Sequence, residues 1–174
     1  VSGGLRVKRS IQPLLAELED PIVLDLTLFS RTPAGQLIPP RTKKNSPQII
    51  PGLKHPILVP SEAYRAWHRG ARRLLLPILR TNDVLRELLP LAFPMRLHAV
   101  FYRDRNVGDL FGFLDGLADF LNDDLRGKAE RDREPDKPVR VIENDRWIHR
   151  ISDETRLEKD AAQPRIELRL EELR

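Results

Sequence analysis

Two stretches of the chain place their hydrophobic residues three and four positions apart, the spacing of one face of an α-helix. The first begins at Ser61, and its apolar face comprises Tyr64, Trp67, Ala71, Leu74, Leu75 and Ile78. The second begins at Asp109, and its apolar face comprises Leu110, Phe113, Leu114, Leu117 and Leu121. The pattern predicts two main helices, the first of which is ended or kinked by Pro77.

Four other stretches have the alternating or β-branched patterns that are typical of strands. They cover residues 22–29, 95–103, 147–151 and 165–170. The last is the clearest, because Ile166, Leu168 and Leu170 alternate with charged residues. In chain order the strands and helices give βαβαββ. The sequence therefore predicts an α+β domain with a small mixed β-sheet of about four strands and two main helices.

The length of 174 residues fits one domain with a hydrophobic core. Residues 1–20 are predicted to be an N-terminal arm with a short helix, whose apolar face comprises Ile11, Leu14, Leu15 and Leu18. This arm either packs on the domain or serves as a docking or dimer element. Residues 21–174 form the domain, and the charged run at 123–138 predicts a solvated, mobile loop.

The chain has 30 Lys and Arg against 26 Asp and Glu, and this net charge of +4 argues only mildly for a polyanionic partner. The basic residues are nevertheless clustered. One turn contains Lys43, Lys44 and Asn45. The flank of the first helix carries Arg65, Arg69, Arg72 and Arg73. Such groups bind nucleic-acid phosphates, although an ordinary solvated turn and a solvated helix face fit the same pattern.

Several classes of protein are disfavoured by what the sequence lacks. It has no cysteine and no run of eighteen apolar residues for a membrane span, which fits a cytosolic protein. Its four histidines are too scattered for a zinc site by spacing. It also lacks a glycine-rich phosphate loop.

Acidic residues occur at two positions where the local pattern changes. Asp109 precedes the second helix, and Asp145, with Glu143 nearby, precedes the strand at 147–151. Asp109 alone fits a helix N-cap, whose side chain accepts a hydrogen bond from a free backbone N–H. Alternatively, Asp109, Asp145 and Glu143 could hold Mg²⁺, or Mn²⁺ in its place, for phosphodiester hydrolysis. A carboxylate pair without a metal would suit glycoside hydrolysis, which does not require basic segments.

Five short segments, taken in order, resemble the RusA family of Holliday junction resolvases. They are Lys43-Lys44-Asn45-Ser46, Ser61-Glu62-Ala63-Tyr64-Arg65-Ala66-Trp67, Asp109-Leu110-Phe111-Gly112-Phe113, Ile142-Glu143-Asn144-Asp145 and Pro164-Arg165-Ile166-Glu167-Leu168. Their order agrees with that of the family motifs over residues 24–170, which is most of the chain. The resemblance rests on the ordered set rather than on any one segment.

The resemblance implies a RusA-like domain that forms a homodimer, binds a four-way DNA junction and cuts two strands symmetrically with Mg²⁺. It implies that Asp109 and Asp145 are the catalytic metal-binding acids. It also implies that Lys43, Lys44 and Asn45 lie near the DNA. We add to the predicted DNA-binding set the helix arginines and, from the link before Asp109, Arg103 and Arg105. A cytoplasmic protein of bacterial or phage origin is the corresponding expectation.

Two departures from the family pattern concern the candidate site. Many family members have a second Asp where this chain has Phe111, and many have a Lys where it has Asp115. If the chain is extended at Asp109, Phe111 would press into the metal site. If the helix has begun, Phe111 would face away and pack. Two other classes remain open: a junction-binding module with weak or no nuclease activity, and a basic domain that binds RNA or protein.

Overall fold

The computed structural model describes residues 6–7, 20–43, 45–48, 57–105 and 108–174, with the backbone alone at 6–7, 45–48 and 57–59. The strands within these residues are β1 (Arg6–Val7), β2 (Val23–Leu28), β3 (Asn45–Gln48), β4 (Ile57–Pro60), β5 (Met95–Arg103), β6 (Ile148–Ile151), β7 (Arg156–Lys159) and β8 (Arg165–Glu172). The helices are α1 (Glu62–Thr81), α2 (Asp83–Leu88), α3 (Leu110–Asn122) and α4 (Lys128–Arg133). A single 3₁₀ turn covers Asp145–Trp147.

The main sheet is mixed, and its strands follow the order β1-β2-β8-β5-β6, with β7 also beside β5. Strand β8 is antiparallel to both β2 and β5, whereas β6 and β7 are parallel to β5. The short hairpin β3–β4 stands apart from this sheet. The α+β class and the two main helices are thus confirmed. The described part of the chain has six strands in the main sheet rather than about four, because β1 and β7 also pair there.

The hydrophobic core lies between one face of the sheet and helices α1 and α3. Alternate residues of β2, β5 and β8 point into it, including the three apolar residues that made β8 the clearest strand in the sequence. Tyr64 and Trp67 of α1 are buried as predicted, whereas Leu74 and Ile78 are partly exposed. Pro77 does not end α1, which continues to Thr81. None of the helices in the described ranges is long and apolar enough to cross a lipid bilayer.

Part of the charged segment at 123–138 makes specific contacts with the rest of the protein. Helix α4 occupies its middle. Arg126 is only 2% exposed, and its guanidinium donates to Asp124 over 2.8–3.2 Å and to the backbone oxygen of Glu134 over 2.7 Å. Asp124 also accepts a hydrogen bond from the N–H of Val139. Residues 132–138 are exposed, as expected of a solvated loop, whereas the ion pair of Asp124 and Arg126 at the start of the segment is largely buried.

The predicted helix of the N-terminal arm lies outside the described residues. Of the arm, the structure describes the backbone of Arg6–Val7 and residue Asp20. Strand β1 pairs with β2 at Leu24 and Asp25. This part of the arm therefore belongs to the edge of the main sheet.

Candidate functional site

Asp109 is the N-cap of α3. Its backbone is extended, with φ −101° and ψ 155°, and its Oδ1 accepts a hydrogen bond from the N–H of Gly112 over 2.7 Å. Gly108 precedes it with φ +96°, a left-handed conformation that favours glycine. The cap therefore explains why an acidic residue stands here. The carboxylate is exposed, so its second oxygen is available to a ligand.

The basic turn packs directly on α3. The backbone N–H of Lys43 donates to the backbone oxygen of Gly112 over 3.4 Å, and its ammonium forms an ion pair with Asp119. The hydrogen bond with Asp119, helped by the charge of Asp115, raises the pKa of Lys43 above its usual value. Two of the predicted motifs are thus in contact. Lys44 lies outside the described residues, and Asn45 is described by its backbone alone, in β3.

Gly112 and Gly116 allow side chains from elsewhere in the chain to approach α3 closely. A Cβ at Gly112 would lie 3.2 Å from the Thr42 methyl, and one at Gly116 would lie 2.8 Å from the Tyr64 ring. Tyr64 donates from its hydroxyl to the backbone oxygen of Gly116 over 2.7 Å. Burial and the nearby carboxylates raise the pKa of Tyr64 well above its usual value, which keeps this donor protonated.

We expect Gly116→Ala to lower the free energy of unfolding by about 1–3 kcal/mol, because the added methyl overpacks the contact between α1 and α3. Chemical denaturation monitored by circular dichroism measures the change. Gly127→Ala is the matched control, since a Cβ at Gly127 would meet no atom within 4 Å. Equal stabilities of the two variants would contradict the close packing at Gly116.

The second acidic turn is built on the 3₁₀ turn Asp145–Trp147. Asn144 caps this turn by accepting from the N–H of Arg146 over 2.9 Å. Glu143 accepts a hydrogen bond from the indole N–H of Trp147 over 3.0 Å. Both acids are exposed. This side-chain contact holds Glu143 against the turn, so its carboxylate is partly used by the protein itself.

Asp109 is the N-cap of α3, whereas the segment that leads into the Asp145 turn is attached to the C-terminal end of this helix. The residues before the turn are anchored at the C-terminal end, where the N–H groups of Val141 and Ile142 both donate to the backbone oxygen of Leu121. Strand β6 then begins beside Met95, the first residue of β5. Asp109, in contrast, comes six positions after Arg103, the last residue of β5. At 1.5 Å per residue, the 13 residues of α3 span about 20 Å.

One metal ion would need the carboxylates of Asp109 and Asp145 to lie close together. Magnesium binds oxygen at about 2.1 Å, so two of its ligand atoms are at most about 4 Å apart. Within the described ranges, no three His, Asp or Glu side chains are grouped so that they could hold a metal ion. Asp109, Asp145 and Glu143 therefore do not form one ligand set within one subunit.

Phe111 follows neither of the two orientations expected from the sequence. The helix has begun at Leu110, so the side chain does not press on Asp109, but it does not pack either. It is 81% exposed. A large apolar side chain so exposed contributes little to the stability of the fold.

We expect Phe111→Asp to leave the thermal midpoint unchanged or to raise it by about 1–3 °C. The lost side chain is exposed, and a carboxylate in the first turn interacts favourably with the helix dipole by about 0.3–1 kcal/mol. Differential scanning calorimetry measures the midpoint. Phe113→Asp is the contrasting variant, because Phe113 is buried against Phe101. A loss of stability in Phe111→Asp as large as that in Phe113→Asp would contradict this account.

The predicted DNA-binding arginines differ in their availability. Arg65 and Arg69 both pair with Glu62 over 2.8 Å. The guanidinium of Arg73 donates to a backbone oxygen of the domain, and Arg72 is half-buried. Arg105 is exposed, 3.5 Å from Asp104. Arg103 is only 6% exposed and lies over the ring of Phe113, so its assignment as a DNA contact is corrected.

The structure also brings together Asp119, Asp123 and His68 between α1 and α3, although none of them was among the predicted site residues. His68 Nε2 lies 3.3 Å from the Asp123 carboxylate. The hydrogen bond from His68 lowers the pKa of Asp123. Asp119 lies in the last turn of α3, and Asp123, four residues later, is the C-cap of this helix. This spacing was the available signal, although it did not reveal which residues of α1 would face them.

The geometry combines a capped acidic helix start, a basic turn packed against it and a separate acidic turn. No protein-family model matches the chain, and no curated protein sequence matches it either.

Proposed function

We propose that the protein is a Mg²⁺-dependent endonuclease that acts on four-way DNA junctions as a homodimer. The contact between the basic turn and the Asp109 helix is the observation that supports this most. Lys43 hydrogen-bonds to Gly112, so two motifs that are far apart in sequence lie side by side as a nuclease site would need. The ordered resemblance to the RusA family supplies the substrate and the reaction.

The separation of the acids favours a metal site shared between two copies of the chain. Asp109 of one subunit would bind the ion together with Asp145 of the other, and Glu143 would be a further candidate ligand. The carboxylate oxygens are of the type that Mg²⁺ prefers, and both aspartates are exposed. When bound, the ion would activate water and stabilise charge on the phosphate. A two-fold axis would create two such sites, as two symmetric cuts require.

The second candidate is a junction-binding module with weak or no nuclease activity. The separation of Asp109 from Asp145 within one chain favours it, as does Phe111 at the position where many family members have a second Asp. In this case the basic residues would bind the junction, and Asp109 would serve only as the cap of α3.

A gel assay on labelled four-way junctions, with Mg²⁺ or with EDTA, tests both candidates. Paired symmetric cuts that require Mg²⁺ support the endonuclease. A junction-selective shift in both conditions, without cuts, supports the binding module. An absence of preference for junctions over duplex DNA would contradict both and favour a general RNA- or protein-binding domain.

Sedimentation velocity with and without junction DNA tests the homodimer. The shared metal site requires two copies, so the active species must sediment as a dimer at least when it is bound to DNA. A protein that cleaves junctions but remains a monomer in both conditions would contradict the shared site. It would not contradict the endonuclease activity.

A further inference from the structure

An open groove of about 610 Å³ lies between the N-terminal half of α1 and the C-terminal half of α3. Its lining carries more positive than negative charge. The cationic side chains are those of Lys43, Arg65, Arg69 and Arg140, and the carboxylates are those of Asp119 and Asp123. The groove therefore has the sign of charge that attracts an anionic ligand.

Both carboxylates of the groove are already engaged by the protein. Asp119 forms its ion pair with Lys43, and Asp123 forms its contact with His68. The ion pair with Lys43 neutralises the negative charge of Asp119, and Asp123 is held by its contact with His68. The remaining charged groups are three guanidinium groups, and these determine what the groove can bind.

The contacts that the protein makes with these three guanidinium groups are weak or long. Arg65 and Arg69 share the carboxylate of Glu62, which is well exposed to water, and such exposed pairs are weak. Arg140 lies 3.5 Å from the backbone oxygen of Glu143, the outer limit of a hydrogen bond. In the described part of the chain, the buried Nε atoms of Arg65 and Arg140 lack a hydrogen-bond partner. These two atoms are shielded from solvent, so a ligand in the groove would be bound through the terminal nitrogens of the guanidinium groups.

We propose that this groove binds the phosphodiester backbone of a nucleic-acid strand through Arg65, Arg69 and Arg140. The planar guanidinium group donates two parallel hydrogen bonds to phosphate, which matches the unused donors. Arg140 lies just before the second acidic turn, so a strand in the groove continues towards Asp145. This inference rests on the proposed function for the nature of the ligand, and it adds Arg140, which no sequence motif had indicated.

The test is binding of a fluorescein-labelled single-stranded oligonucleotide and of a labelled four-way junction, measured by anisotropy in EDTA. We expect Arg140→Gln and Arg69→Gln each to weaken binding about fivefold. Each variant should also reduce the slope of log affinity against log salt by the value for one lost phosphate contact, about 0.9 for the junction and about 0.7 for the single strand. Arg69 is exposed, so its variant keeps the test decisive even if Arg140→Gln fails to fold.

Arg169→Gln is the matched control, because it removes the same charge from the opposite face of the sheet, where Arg169 pairs with Asp25. Affinities that fall equally in all three variants, or in none, would overturn the groove site. A labelled poly-glutamate peptide that binds as tightly as the oligonucleotide would also overturn it. Because EDTA prevents cleavage, an inactive enzyme whose affinity still depends on Arg140 would overturn the proposed nuclease and leave the groove intact.

Discussion

A heterodimer of one Asp109→Asn subunit and one Asp145→Asn subunit is expected to nick four-way junctions in Mg²⁺, although each variant alone is inactive. In a shared site, Asp109 of one subunit works with Asp145 of the other. The heterodimer then has one site with both substitutions and one site with neither. It should therefore cut a single strand, where the wild-type protein cuts two symmetric strands.

Each homodimeric variant is expected to lose more than about 100-fold in cleavage rate, since loss of even an outer partner of a metal ligand costs about 10–100-fold. Asparagine keeps the size of the side chain but removes the charge that a hard cation requires. Junction affinity should be retained or increased, because removal of a negative charge near phosphates does not weaken binding by Lys and Arg. Mobility-shift titrations in EDTA measure this affinity.

Heterodimers are isolated through a different affinity tag on each subunit, and their products are resolved on denaturing gels. Asp153→Asn is the control for the loss of one carboxylate, because Asp153 is exposed in the turn between β6 and β7. Heterodimers as inactive as their parents would show that the site is not shared. Cleavage by either homodimeric variant would remove that aspartate from the metal site.

Most of the fold could be predicted from hydrophobic spacing. The residues of α1, α3, β5 and β8 that form the core follow their expected periods, because one face of each element is buried and the other is not. Strand β7 was missed because its residues, Arg156–Lys159, include a single apolar position among charged ones. Its backbone pairs with β5 at the edge of the sheet, where side chains are only partly buried and need not be apolar.

The largely buried pair of Asp124 and Arg126 is the part of the charged segment that could not be predicted from the sequence. A run of charged residues normally predicts exposure, and nothing in the spacing of an Asp and an Arg two positions apart marks them as buried. Burial here depends on acceptors and donors that lie further along the chain, at Glu134 and Val139. Such long-range satisfaction of polar groups has no local sequence signature.

The candidate site was predictable residue by residue but not as an assembly. Asp109 could be recognised as a cap from its position before an apolar helix face, and the structure has that cap. The distance from Asp109 to Asp145 depends on whether β5 and β6 are parallel. In a parallel connection the chain must return along α3, so the end of β5 and the start of β6 lie at opposite ends. The sequence predicted a mixed sheet without stating which pairs are parallel.

We expect Asp124→Asn to lower the free energy of unfolding by about 3 kcal/mol, the usual result of breaking a buried ion pair, and the thermal midpoint by about 10 °C. The substitution leaves the guanidinium of Arg126 buried without a charged partner. Asp132→Asn is the matched control, because Asp132 is exposed on α4 in the same segment. Thermal unfolding followed by circular dichroism measures both variants, and equal midpoints would contradict a structural role for the pair.

The same variant should also change how stability depends on pH. Burial alone would raise the pKa of Asp124, but hydrogen bonds from the Arg126 side chain and from the N–H groups of Arg126 and Val139 outweigh it and lower the pKa to about 2. An unfolded aspartate has a pKa near 3.9. The contribution of Asp124 is therefore complete above about pH 4 and disappears as the pH falls through about 2. The midpoint of the wild-type protein should fall more steeply over this window than that of Asp124→Asn, and parallel curves would show that this carboxylate is not held by Arg126.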